Sequence, residues 1–300
     1  MAIVLGPNQY GKAENRVVRV YRDTDRHEIR DVNVSTSLWG DFTDAHLAGD
    51  QARVLPTDTQ KNTCFAYAKE QGIGQIEDYA LALARHFVDD VEPVQGARVC
   101  VDEYAWERVP VGGAGHPHTW VRSGPEVRTT VVTVDGKGDR QRCWVVSGLR
   151  DLVLLKSTGS EFHGFLRDRY TTLADTSDRV LATSLSARWR YLATAHDWDR
   201  LHRNVRAILL ERFATVHSLA LQQTLWEMGR AVLAAHGEVV EIRMSAPNRH
   251  HVLVDLAPFG LENPGEVFHA ADRPYGLIEC AVTRDDAAPA EVAWQAPGSP

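Results

Sequence analysis

Cysteine is scarce and scattered. Cys64, Cys100, Cys143 and Cys280 are the only four, and no Cys-x-x-Cys occurs. That spacing excludes a zinc ribbon or a disulfide frame and leaves reduced, structural thiols. Long apolar runs are missing too. The longest early one, Ala2 to Leu5, is far shorter than a signal-peptide core or a membrane span. Positive charge is outnumbered, with 33 Lys and Arg against 40 Asp and Glu and a formal net charge of -7. This argues against nucleic-acid and anionic-membrane partners, while a local basic pocket for a small anion stays open. There is no Gly-x-Gly-x-x-Gly and no Walker motif, and Gly298-Ser299-Pro300 is not a Ser-Lys-Leu peroxisomal address. The expected compartment is the cytoplasm.

What is present is 300 residues, 44% apolar and 24% charged, enough for about two domains with real cores. Two halves repeat a coarse order of strands, helices and strands. In the first, 16–22 and 32–38 read as strands, and Ile76, Tyr79, Ala80, Leu83 and Phe87 mark one helical face. Strands are expected again over 98–106 and 126–134, around a Gly112-Gly113-Ala114-Gly115 loop. The second half reads as strands at 143–156 and 179–195, and then as two helices. Their stripes are Leu201, Val205, Ile208, Leu209, Phe213, Val216 and Leu221, Leu225, Met228, Val232. Strands at 241–244, 251–256 and 276–283 close it. Grouped rather than alternating strands favour an antiparallel α+β class over a doubly wound parallel sheet. The expected domains are 1–140 and 141–284, with 285–300 a disordered Ala/Pro-rich tail.

Polar residues that could carry chemistry are dispersed. Thr57-x-x-Gln60 after Pro56 has the form of a capping box, and a helix start also presents amides and a positive dipole end to an anion. Asn248 and His250 are two apart in an extended segment, so they share a face with Arg249 on the other. Each has a plain reading as a turn residue or a hydrogen-bonded structural histidine. Lys12 alone is a solvated lysine; beside a hydroxyl and an imidazole in a dry pocket it becomes a base. Arg179 is either a surface ion pair behind Asp178 or a fork for a planar anion. Gln222, near a helix start that Ser218 could cap, offers a donor and an acceptor as an imide edge requires. Phe162 alone reads as core. His116-Pro117-His118 lacks a third ligand of defined spacing, and no metal is expected.

The strings Asn8-Gln9-Tyr10-Gly11-Lys12, Thr57-Asp58-Thr59-Gln60-Lys61-Asn62-Thr63, Leu155 to Phe162 and Ser245-Ala246-Pro247-Asn248-Arg249-His250 together resemble the urate oxidase (uricase) family, from about Leu5 to Thr283. Arg249 stands where that family usually has lysine. The resemblance implies two tandem tunnelling-fold domains, each an antiparallel four-stranded sheet carrying two helices, and a homotetramer with active sites at subunit interfaces. It implies oxidation of urate by O2 without a cofactor. Lys12, Thr57 and His250 would be the proton relay. Arg179, Gln222, Phe162 and the Leu221 amide would hold urate, joined by Thr57 and Asp58 from a neighbouring subunit, and Asn248 would bind O2 with Thr57. Two rivals stay open: another tunnelling-fold enzyme acting on a pterin or purine, and a urate-binding protein without turnover.

Overall fold

The computed structural model describes residues 1–295. The chain divides into two compact units: Met1–Gly148 with Arg190–Arg200 and the segment from Ala288, and Leu149–Trp189 with Leu201–Ala287. Strands neighbour one another in chain order with no crossover.

In the first unit β1 (Asn15–Tyr21) and β2 (Glu28–Gly40) pair antiparallel, with Val17 opposite Val32. Helices α1 (Thr43–Leu47), α2 (Thr57–Glu70) and α3 (Ile76–Asp90) follow. Strands β3 (Val94–Val111) and β4 (Ala114–Asp135) then form a long antiparallel hairpin. Its turn is only Gly112-Gly113, tighter than the expected four-residue loop. Alternation puts Val99 and Val101 of β3 and Val132 and Val134 of β4 on a buried face, where Ile76, Leu83 and Phe87 of α3 are also fully buried. Each large side chain of this core contributes about 1.5–3 kcal/mol of burial.

Strand β5 (Arg142–Lys156) begins in the first unit and ends in the second. The second unit holds most of β6 (Leu181–Tyr191) and α4 (Trp198–Thr215), then α5 (Leu221–Ala235), β7 (Val239–Leu253) and β8 (Phe268–Thr283). The apolar stripe of α5, Leu221, Leu225, Met228 and Val232, is buried, as are Ile242, Met244 and Ala246 of β7.

Two further sequence expectations change. The separate strands 241–244 and 251–256 are one strand, because Pro247 is held opposite Leu277 and the pairing runs on past it to His250. The tail is ordered through Gln295. A 3-10 turn over Glu291–Trp294 buries Ala293 and Trp294 against Val131 and Val146, so its apolar residues supply the burial that composition obscured. Residues 296–300 of that expected tail lie outside the described residues. Among the described residues no helix is long and apolar enough to cross a membrane.

Candidate active site

Lys12, Thr57 and Asp58 belong to the first unit. Tyr10 is bridged to Leu38 of β2 by two backbone bonds of 3.0 and 2.7 Å, and the Thr36 amide donates to the Lys12 carbonyl at 2.8 Å. Gly11 makes this approach possible: a Cβ there would sit 1.8 Å from the Thr36 oxygen. Tyr10-Gly11 is therefore a pinned segment. The Lys12 amide donates to Thr36 Oγ1 at 3.1 Å. Thr36 Oγ1 in turn donates to Oε1 of fully buried Gln60 at 2.7 Å.

The capping box does not form. The residue before α2 is Pro56, with no side-chain cap bond, and Gln60 is turned inward to Thr36 and to the Leu55 carbonyl at 3.4 Å. Thr57 is instead the first helical residue, and the opening amides of α2 lack intrahelical partners. Asp58 in that first turn accepts from Lys61 and, at 3.0 Å, from Asn62. Lys61 holds its carboxyl below the usual range, helped more weakly by the charge of Lys12.

Phe162, Arg179, Leu221, Gln222, Asn248 and His250 belong to the second unit. Phe162 exchanges backbone bonds of 2.9 and 3.0 Å with Thr176, and the Arg179 amide donates to the Ser160 carbonyl at 2.8 Å. These ties carry the Arg179 guanidinium over the Phe162 ring, 5.2 Å from its centroid, with Nε 3.4 Å from Ser160 Oγ. Burial lowers the Arg179 pKa. Asp178 accepts from the Thr158 hydroxyl at 2.9 Å and the Gly159 amide at 3.1 Å, which accounts for that carboxylate without an Arg179 ion pair.

The same loop reaches α5. Ser160 and Ser218 are fully buried, the Glu161 amide donates to the Ser218 carbonyl at 2.8 Å, and Thr224 Oγ1 donates to Ser218 Oγ at 2.8 Å. Ser218 therefore does not cap the helix. Ala220 precedes α5 without a side-chain cap, and the Leu219 amide donates to Gln223 Oε1 at 3.2 Å. Leu221 buries its side chain while its amide opens the helix, and Gln222 is exposed.

On β7, Ser245, Pro247 and Arg249 line one cavity, of about 370 Å³, while Met244 and Ala246 are buried on the alternate positions. Asn248 thus continues the buried face and Arg249 the cavity face. Asn248 pairs with Gly276 and His250 with Ala271, a register shift that takes up the extra residues of β8 at this point. His250 is exposed. His116 and His118 face one another at 4.4 Å, and among the described residues no group of three His, Cys, Asp or Glu side chains could hold a metal ion.

Sequence reasoning missed Thr36 and Ser160 as supports, and read Gln60 and Ser218 as helix caps where they are buried partners of Thr36 and Thr224. Only Gln60 and Ser160 lie inside the family-like strings, and burial of single polar residues has no periodic signature.

The uricase family profile matches residues 8–133 and 145–279. The chain is 53% identical to a uricase of Arthrobacter globiformis over 283 residues, covering 94% of this chain and 91% of the relative. It is 34% identical to a uricase of Danio rerio over 281 residues, covering 92% and 93%. The crystal structure of the Arthrobacter globiformis uricase superposes with a TM-score of 0.93 at 51% identity, covering 98% of this chain and 99% of that one. With both halves matched and the fold shared from end to end, the chain belongs to the uricase family, the urate oxidases.

Proposed function

We propose that this chain oxidises urate with O2 and water to 5-hydroxyisourate and hydrogen peroxide through two half-sites that complete each other across subunits of a homotetramer. The observation that carries the reading is the half-buried Arg179 guanidinium stationed over Phe162 and tied through Ser160 to Ser218, just ahead of α5. A guanidinium fork, an imide-matching Gln222 amide, the Leu221 N–H and an aromatic face are what a flat anionic purine requires. Preorganisation of this kind lowers a barrier by several kcal/mol, since the grip costs no reorganisation during reaction.

Lys12, Thr57 and His250 move protons. Lys12 draws the urate proton through the Thr57 hydroxyl, giving an electron-rich dianion that passes electrons to O2. Asn248 and Thr57 hold O2 and then peroxide, and His250 with the same hydroxyl delivers water to the oxidised ring. Urate loses two electrons, O2 takes them with two protons as peroxide, and water supplies the new hydroxyl. Asp58 contacts the substrate from the neighbouring subunit.

The reaction is proposed to need no cofactor and to run in the cytoplasm. The four free cysteines suit a reducing compartment, and burial pushes the Cys64 thiol up to about 11, so it stays protonated there. In aerated buffer with a strong chelator, urate, oxygen and peroxide followed together should change in matched amounts. Urate binding without oxygen uptake would contradict the reading.

A further inference from the structure

The first unit carries an open cleft of about 720 Å³, lined by Pro7, Asn8, Trp39, Arg98, Asp135 and Gln295 among others. Arg98 is 1% exposed, yet its Nε and Nη1 have no hydrogen-bond partner among the described residues. Only Nη2 is engaged, with the Val292 carbonyl at 3.4 Å and the neutral amide oxygen of Gln295 at 2.5 Å. A guanidinium buried without an anionic partner is expensive, and burial accordingly lowers its pKa. Asn8, which also lines the cleft, has its Oδ1 buried without a partner, an acceptor lacking a donor.

The cleft is constructed rather than incidental. The Trp39 indole lies flat over Gly96, where a Cβ would meet the ring at 2.1 Å, and its Nε1 donates to Asp135 at 3.0 Å. Arg98 stacks on the same indole, 5.4 Å from the ring centroid. With Asp135 already held by Trp39, the unmet demands of the cleft are an oxyanion for Arg98 and an N–H donor for Asn8. Asn8 belongs to the Asn8-to-Lys12 string, but nothing in the urate chemistry uses it.

We infer that this cleft binds a small organic carboxylate bearing an N–H donor, its carboxylate on Arg98 and its N–H on Asn8. The carboxylate competes with Gln295 for Arg98, so binding releases the last described residue of the tail from its amide contact. The site is separate from the proposed urate grip, and its test does not depend on turnover.

The probe is N-acetylglycine, with butyrate and inorganic phosphate as comparators of constant ionic strength, read as thermal unfolding of the full-length protein. N-acetylglycine should raise Tm by a few degrees and saturably, butyrate and phosphate clearly less. Arg98→Met should abolish the rise while leaving the ligand-free Tm at or above the wild-type value, because an unpaired buried charge is removed. Asn8→Leu, which leaves Arg98 in place, should abolish the advantage of N-acetylglycine over butyrate. No saturable rise, an equal rise with butyrate or phosphate, or a rise that persists in Arg98→Met would overturn the assignment.

Discussion

The two groups of site residues follow opposite physical plans. In the first unit Lys12, proposed to move protons, is half-buried while the backbone beneath it is locked, by Gly11 lying against Thr36 and by the buried Thr36–Gln60 bond. In the second unit the cation proposed to grip urate, Arg179, is half-buried, its pKa lowered by burial and its Nε resting on a buried serine hydroxyl. A side chain that must exchange protons can take its position from the main chain and keep its own freedom. A side chain that must grip a flat anion gains by being held in place beforehand.

Substitutions that break each plan should separate in kinetics. Arg179→Met removes the charged fork and should lower kcat/KM about 10^3-fold, mostly through KM, given that truncating a buried charged contact costs about 2–5 kcal/mol. A fall confined to kcat would place Arg179 in the proton chemistry instead. Lys12→Met should do the reverse, lowering kcat about 10^2-fold with urate affinity held, as expected for a lost base. Unchanged turnover would remove Lys12 from the relay.

The supports should give smaller effects. Gly11→Ala forces a Cβ into the Thr36 carbonyl, and it should cost about 2 kcal/mol in urea unfolding as an overpacking defect. Turnover should drop with it, because Lys12 shifts. Ser160→Ala loses one hydrogen bond to a cation, and should raise KM about fivefold, corresponding to about 1 kcal/mol, with kcat retained. A Ser160→Ala enzyme with unaltered KM would show that the Phe162–Thr176 bridge positions Arg179 by itself.

Much of the fold was legible in the sequence because it is written in periodicity. The stripes of Ile76 to Phe87 and Leu221 to Val232 are helical faces that the structure buries. The merging of β7 was not legible, since Pro247 reads locally as a break and is held in the ladder only by β8. Trp294 escaped notice because an Ala/Pro-rich composition hides one aromatic that finds a distant hydrophobic patch. The site residues stood out only through the resemblance to a family, and Arg179, Leu221 and Gln222 lie outside its strings. Their supports did not, because a buried glutamine or serine looks like any other until its partners, 24 residues away for Gln60 and Thr36, are in place.

The claim that two half-sites from different chains make one active site is tested most directly by complementation. Lys12→Met and Arg179→Met proteins, each nearly inactive, would be dissociated, mixed and reassembled. Mixed assemblies pair an intact Lys12 from one chain with an intact Arg179 from another, so the account predicts that a substantial fraction of wild-type urate oxidation returns on mixing. Activity that stays at the level of the separate variants, in assemblies shown to contain both chains, would contradict it.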